Sequence, residues 1–262
     1  MNQAMSGKVV FLTGASSGIG EALAREYARQ GAILALAARR TQLLEKIKKD
    51  CEALGARVEI FSCDVVVEGD VRRTVEDINK KLGPIDAVIA NAGLSGSFKV
   101  GRFNTELSAK IIDVNVKGLL YTIGAVLPEM LKRNTGTVVG VSSLASYISF
   151  PQSYVYCASK SAVSAILQGL RLELSESNIQ VTTICPGYIR TDMTASNQFT
   201  MPFLMDVDVA AQRIVRAIAR GADVYDFPRR MRWIIRLLSL LPQKMIALPF
   251  RGGRDVKASS NK

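Results

Sequence analysis

From residue 8 onward, short unbroken apolar runs alternate with longer segments whose apolar positions recur every three or four residues. The apolar runs are KVVFLTG (8–14), AILALAA (32–38), RVEIFSCDV (57–65), IDAVIANAG (85–93), GTVVGVSS (136–143) and IQVTTICPG (179–187), with a short one near Val224. Their length and weak alternation predict strands buried on both faces. The intervening segments predict helices at 21–31, 41–54, 71–82, 105–133, 154–176 and 207–220. Gly31 closes the first helix, and Thr41 is the expected N-cap of the second. Strands alternating with helices predict an α/β fold with one doubly wound parallel sheet of about seven strands, helices on both faces and right-handed crossovers. No linker or repeat divides residues 1–227, which read as one domain followed by a tail at 228–262.

Composition narrows the chemistry. The chain has 262 residues and no histidine. Ser-His-Asp catalysis, histidine metal sites and imidazole switching are therefore excluded. Its four cysteines, Cys51, Cys63, Cys157 and Cys185, form no C-x-x-C pair. Neither a zinc site nor a disulfide framework is indicated, and a reducing, cytoplasmic compartment is expected. The N-terminal MNQAMSGK runs straight into the first strand without the apolar region of a signal peptide. No apolar run reaches the ~18 residues of a membrane span. The net charge of +11 raises the question of nucleic acid, but its distribution argues against that partner. Residues 1–227 carry 25 basic and 22 acidic side chains, whereas 228–262 carry nine basic and one acidic.

Two places on the chain suit a nucleotide. The first turn reads T-G-A-S-S-G-I-G, with Gly14, Gly18 and Gly20 between a strand and a helix. Glycines there let backbone approach a pyrophosphate, and the helix start offers free N–H groups and positive potential. The spacing G-x-x-x-G-x-G differs from the common G-x-G-x-x-G fingerprint. At the end of the second strand, an acid bonds a ribose 2′-hydroxyl and an arginine accommodates a 2′-phosphate. That strand ends Ala37-Ala38-Arg39-Arg40 with no acid, so Arg39 reads as the 2′-phosphate ligand and Arg40 as a second candidate.

Tyr156 and Lys160 stand four residues apart, and so share one face of the helix at 154–176. An ammonium one turn from a phenol favours the phenolate and lowers its pKa, which makes the pair a candidate general acid/base. Ser143, thirteen residues upstream, could hold a substrate oxygen beside that phenol.

TGASSGIG, Asn91-Ala-Gly93, Asn115 in NVKG, Ser143, Tyr156-x-x-x-Lys160 and Pro186-Gly187 stand in an order that resembles the short-chain dehydrogenase/reductase family over about residues 8–227. The resemblance implies a Rossmann-type fold and hydride exchange with a nicotinamide cofactor. Tyr156 would be the acid/base, and Lys160 would bond the nicotinamide ribose and lower the phenol pKa. Ser143 would orient the substrate carbonyl, and Asn115 would hold a water linking Lys160 to solvent. Gly14, Ser16, Ser17, Gly18, Ile19 and Gly20 would cradle the pyrophosphate. Asn91 and Gly93 would line the adenosine ribose, Asp64 and Val65 the adenine, and Pro186, Gly187, Ile189 and Thr191 the nicotinamide side. Many NADP-dependent relatives carry a basic residue where this chain has Ser17, so phosphate recognition would rest mainly on Arg39. Homodimers or homotetramers are also implied, with the helices at 105–133 and 154–176 pairing through Ile111, Leu119, Ile123, Val163, Ile166 and Leu170.

The expected activity is therefore NADP(H)-dependent interconversion of a carbonyl and a primary or secondary alcohol. The rival is a cofactor-binding sensor or scaffold that turns over weakly. Met193, Phe199, Met201, Phe203, Leu204 and Met205 make the loop after Pro186 apolar, which suits a small apolar substrate or a lid packed on its own domain. In the tail, a helical projection sets Arg229, Arg232, Arg236 and Ser239 opposite Ile234, Ile235, Leu237, Leu238 and Leu241. Such a segment, 229–248, can lie on a membrane interface, or pack on the body or on a second subunit.

Overall fold

Seven parallel strands lie in one sheet in the order β3-β2-β1-β4-β5-β6-β7. They are β1 (Val9–Thr13), β2 (Ile33–Ala38), β3 (Val58–Ser62), β4 (Ala87–Ala90), β5 (Gly136–Val141), β6 (Ile179–Pro186) and β7 (Val224–Phe227). The structure is a computed structural model and describes residues 5–98, 103–195 and 200–246. The chain steps outward from β1 to β3, then returns to place β4 on the other side of β1. The carboxyl ends of β1 and β4 are therefore neighbours at the point where strand order reverses, which is where a crevice opens in such sheets.

Side-chain alternation along the strands explains the unbroken apolar runs. Val10 and Leu12 of β1 face a core shared with α1 (Gly18–Arg29), α2 (Thr41–Ala53) and α8 (Val207–Ala219), through Leu23, Tyr27, Leu44, Ile47, Ile214 and Ile218. Val9 and Phe11 face the opposite core, built with α3 (Glu68–Leu82), α5 (Gly118–Arg133) and α6 (Tyr154–Glu173), through Ile78, Val126, Met130, Val163 and Leu167. Each face is covered, so a polar position on a strand would leave a buried group without water.

The long helical stretch is not uniform. α4 (Thr105–Ile112) is capped by Asn104, whose side chain accepts from Leu107 N at 2.9 Å. One π-helical turn, Asp113–Lys117, then separates it from α5. This turn carries Asn115 into the protein interior, and such bulges often mark functional positions. The run Thr105–Arg133 is long and apolar enough to cross a membrane, yet Ile111, Leu119, Ile123, Val126 and Met130 all belong to the buried core. Those positions correct the expected subunit contact. Ile111, Leu119, Ile123 and Val163 are buried within the chain, and Ile166 and Leu170 are partly buried against the same core. The large exposed apolar residues on those helices are Ile112, Leu120, Leu131 and Leu172.

Two boundaries also differ from the sequence reading. Thr41 is the first residue of α2 rather than its cap, and Arg40 holds the cap position without a side-chain bond to the helix start. α3 begins at Glu68, where Glu68 and Asp70 complement the positive end of the helix.

After β6 come α7 (Asp192–Ala195), α8, β7, α9 (Arg229–Ser239) and α10 (Gln243–Ile246). α9 is docked on the body through Met231 and Ile235, which join Leu144 and Cys185 in a third apolar cluster. Phe199 and positions 247–248 of the tail lie outside the described residues.

Candidate active site

The glycine turn is built by close approach between the ends of β1 and β4. The Thr13 hydroxyl accepts from Asn91 N at 3.2 Å and Ala92 N at 3.4 Å. The Asn91 amide donates to Thr13 O at 3.1 Å and Gly14 O at 3.2 Å. Gly14 has φ +65°, and a Cβ there would lie 2.7 Å from Ala92 Cα. A Cβ on Gly20 would lie 2.3 Å from Gly14 O. Only glycine fits either position, and the turn leaves the first N–H groups of α1 without helical partners. Across the crevice, Thr191 comes within 3.2 Å of where a Gly18 Cβ would be. Ile19 packs on the core below the turn.

The arginines after β2 divide their roles. Arg40 donates to Ser16 Oγ at 3.0 Å and to Ser17 Oγ at 2.7 Å, which sets its guanidinium on the glycine turn. Arg39 is exposed, with Nη1 3.9 Å from Asp64 Oδ2. Asp64 accepts from Val66 N at 3.3 Å, and Val65 is buried against Gly118.

Ser143 follows β5 in extended backbone and caps a single 3₁₀ turn, Leu144–Ser146. Its hydroxyl accepts from Ala145 N at 3.1 Å and lies 3.4 Å from Pro186 O. The same hydroxyl is close enough to the Tyr156 phenol to pull its pKa down, so residues 13 positions apart in sequence come together. Tyr156 and Lys160 lie in the first two turns of α6. Lys160 is buried, donates to Val141 O at 2.8 Å and sits 5.8 Å from the Tyr156 ring centre.

Burial dominates both titrations. It pushes the Tyr156 phenol up to about 12, against the opposing pull of the Ser143 hydrogen bond. It pulls Lys160 down to about 8. The lowering of the phenol expected from the nearby ammonium is therefore not seen in the protein chain itself. Desolvation of the phenolate is the largest influence on the phenol, and the ammonium donates to the Val141 carbonyl.

Asn115 works as a staple. Its amide accepts from Leu94 N at 2.7 Å and donates to Leu94 O and Ser159 Oγ, each at 2.9 Å. Ser159 in turn donates to Tyr156 O at 2.7 Å. The side chain is thus committed to protein atoms and ties the loop after β4 to the first turn of α6. Gly93 lies in the same corner, where a Cβ would be 3.5 Å from both Asn115 Oδ1 and Lys160 Nζ. Three further hydroxyls hold α6 in place, none of them singled out by sequence reasoning. Ser142 donates to Lys160 O at 2.9 Å and meets Ser164 at 2.7 Å, and Ser161 donates to Ser146 O at 2.7 Å. Such serines carry no periodic signal; only their place beside β5 and α6 gives them meaning.

The opposite wall is formed by the end of β6 and by α9. Gly187 N donates to Phe227 O at 2.7 Å, and a Cβ on Gly187 would lie 2.8 Å from Met231 Sδ. The buried Ile189 is in register with Met205, through Arg190 N to Met205 O at 2.9 Å and Met205 N to Tyr188 O at 3.0 Å. Met205 thereby packs on the core, while Met193 and Phe203 are exposed. Tyr147, Ile148, Phe150 and Tyr188 surround Met231 and Ile235. On the other side, Phe98, Phe103 and Tyr154 form an aromatic group with ring centres 6.0–6.2 Å apart. The site is thus an acid/base group and a hydroxyl between apolar walls, beside a cradle for an anion.

A nicotinamide dinucleotide fits these residues. The glycine cradle admits no Cβ, and the start of α1 and Arg40 place positive potential where a pyrophosphate would lie. Comparison with known proteins agrees. The profile described as "short chain dehydrogenase" matches residues 8–201. An "uncharacterized oxidoreductase" of Myxococcus xanthus is 36% identical over 241 residues, covering 92% of this chain and 95% of that protein. The crystal structure of an alcohol dehydrogenase from the archaeon Thermococcus sibiricus, complexed with 5-hydroxy-NADP, superposes with a TM-score of 0.76 at 28% identity, over 84% of this chain and 95% of that one. A short-chain dehydrogenase/reductase from Burkholderia phymatum, in complex with NAD, shares the fold with a TM-score of 0.84 at 23% identity, over 94% and 96%. The chain belongs to the short-chain dehydrogenase/reductase family and is an NAD(P)-dependent oxidoreductase.

Proposed function

We propose that this protein is an NADPH-dependent carbonyl reductase, reversible as an alcohol dehydrogenase, acting on apolar substrates. The observation that carries the reading is the convergence of the Ser143 hydroxyl and the Tyr156 phenol, with buried Lys160 one turn further along α6. Bound NADPH supplies the hydride that reduces the carbonyl carbon. Ser143 and Tyr156 hold the carbonyl oxygen between two hydroxyls. Tyr156 donates its proton to that oxygen as the alcohol forms, which is why a phenol held protonated by burial suits the reductive direction. Lys160 stabilises the phenolate left behind, and a proton from solvent restores the phenol. The neighbouring aromatic and aliphatic side chains exclude water and favour an apolar substrate.

The preference for NADPH rests on β2. No acid follows that strand, and Arg40 rests on Ser16 and Ser17 with Arg39 beside it. Arg40 supplies the positive charge at the place where Ser17 itself supplies none. This supports Arg40, the second candidate after Arg39, as part of the phosphate site. The sensor reading is disfavoured because no member of the acid/base group is missing. Self-association, if it uses α5 and α6, would engage Leu120, Leu131 and Leu172 instead of the buried residues. Four buried, free cysteines suit a reducing, cytoplasmic setting.

The test follows absorbance at 340 nm with NADPH or NADH over aldehydes and ketones of increasing apolar length. Turnover with NADPH that improves with apolar length supports the reading, and Arg40→Ala should weaken NADPH on the order of tenfold more than NADH. No oxidation with any carbonyl, despite cofactor binding, would favour the sensor.

A further inference from the structure

We propose that the outer face of α9 and α10 docks on an anionic lipid membrane. This goes beyond the proposed reaction and stands whether or not that reading holds. It begins with Asp226 on β7, whose side chain is only 1% exposed. This carboxylate accepts from the Tyr147 hydroxyl at 2.9 Å and from Arg236 Nη2 at 3.0 Å, and Arg232 Nε lies 3.3 Å away. The Arg236 guanidinium also covers the Tyr147 ring at 5.3 Å. The two mid-helix arginines are thus drawn toward the body, where they share one buried acid and leave a net positive charge.

That clamp, together with Met231 and Ile235 packed inward, fixes α9 with Trp233, Ile234 and Leu237 outward. Trp233, Leu237 and Leu240 are 57%, 64% and 81% exposed, and Ile234, Leu241 and Met245 are exposed beside them. Trp233, Ile234 and Leu237 share one side of α9, Leu240 and Leu241 follow directly after its end, and Met245 is in α10. A stripe of this kind on one short segment is more than scattered surface apolarity and calls for an occupant.

Charge selects the occupant. Arg229 and Arg230 in the first turn of α9, and Lys244 in α10, are exposed and have no acidic partner among the described residues. The sole acid from 228 to the chain end is Asp255. In an isologous contact between two copies, these cations would meet their own counterparts with no acid in the patch to balance them. An anionic lipid surface takes both the apolar stripe and the cations. Trp233 in the stripe, with Arg232 5.4 Å from its ring, suits the boundary between headgroups and acyl chains. α9 has 11 residues and α10 has four, so neither spans a bilayer and the pair would lie in its plane. The inner side of α9 packs on Tyr147, Ile148, Phe150 and Tyr188. Docking would therefore hold the walls of the active site one helix from the lipid, where apolar molecules are concentrated.

Trp233 is the only tryptophan of the chain, so its emission reports this surface directly. The experiment mixes the full chain with phosphatidylcholine vesicles, with or without phosphatidylglycerol, and measures co-sedimentation and Trp233 emission. The expected result is binding and a blue shift with anionic vesicles only, weakened by added salt. Leu237→Glu with Leu240→Glu, and separately Arg229→Glu with Arg230→Glu, should each lower partitioning on the order of tenfold or more while the melting curve is kept. Four results would overturn the proposal. The first is no vesicle binding at low salt, and the second is equal binding to neutral vesicles. The third is a Trp233 shielded from iodide in the free chain, since the protein's own C-terminal residues would then cover the stripe. The fourth is an oligomer split by the leucine changes while vesicles leave the emission unchanged, since a second copy would then be the occupant.

Discussion

Replacing Asn115 by alanine removes an amide that makes hydrogen bonds to Leu94 N, Leu94 O and Ser159 Oγ at 2.7–2.9 Å, in a position 2% exposed to solvent. A net ~1 kcal/mol per bond gives about 3 kcal/mol. Ser159 keeps its bond to Tyr156 O, so the true losers are the two Leu94 backbone groups. Those groups face up to ~3 kcal/mol each if they stay buried and unmet, and less if the loop shifts to find water. Relaxation and penalty offset one another, and about 3 kcal/mol remains a fair expectation. For a chain of this size, each kcal/mol lowers the melting temperature by roughly 2–4 °C, so the variant should melt about 6–12 °C lower. Calorimetry or circular dichroism measures this, and turnover on the folded variant should also fall because the loop after β4 is no longer tied to α6. A shift under about 2 °C with turnover intact would refute the staple and return Asn115 to the solvent-linking role.

Other substitutions probe the cradle and the buried lysine. Gly20→Ala places a methyl 2.3 Å from Gly14 O, a backbone atom that cannot swing aside. Cofactor titration by calorimetry should show binding lost, and normal affinity would mean that the turn does not hold the pyrophosphate. Lys160 is pulled down from 10.5 to about 8, so its charged form is penalised in the fold below about pH 8, and the penalty is relieved between 8 and 10.5. Wild-type stability relative to Lys160→Met should therefore rise across that window by up to roughly 3 kcal/mol. Urea unfolding at both ends measures it, and a flat or falling difference would contradict the buried, desolvated state.

The sheet was legible because strands buried on both faces leave short β-rich apolar runs such as VVFLT and ILALAA, spaced by helical segments. The glycine turn and the pair Tyr156/Lys160 were legible because their chemistry needs particular residues at particular spacings. The π-turn at Asp113–Lys117 was not, since the apolar periodicity of 105–133 continues through it and only Asn115 interrupts the pattern. The different contacts of Arg39 and Arg40 were not legible either, for a related reason. Adjacent residues at a strand end point in different directions, and which one reaches Ser16 and Ser17 depends on how α2 starts. The orientation of α9 escaped as well. A helical projection separates two faces but does not say which one meets the body, and here a buried acid in the strand VYDF draws Arg232 and Arg236 toward it. The sequence does hold that signal, in Asp226 followed by Arg232 and Arg236.

Tyr156→Phe tests the central claim most directly, because it keeps the ring and removes only the hydroxyl that neighbours Ser143 and would carry the proton. NADPH affinity and NADPH-dependent reduction of the best carbonyl should be measured on the same preparation. The account expects affinity within about twofold of wild type and turnover lower by a factor on the order of 10² or more. Near-normal turnover in the variant would contradict it.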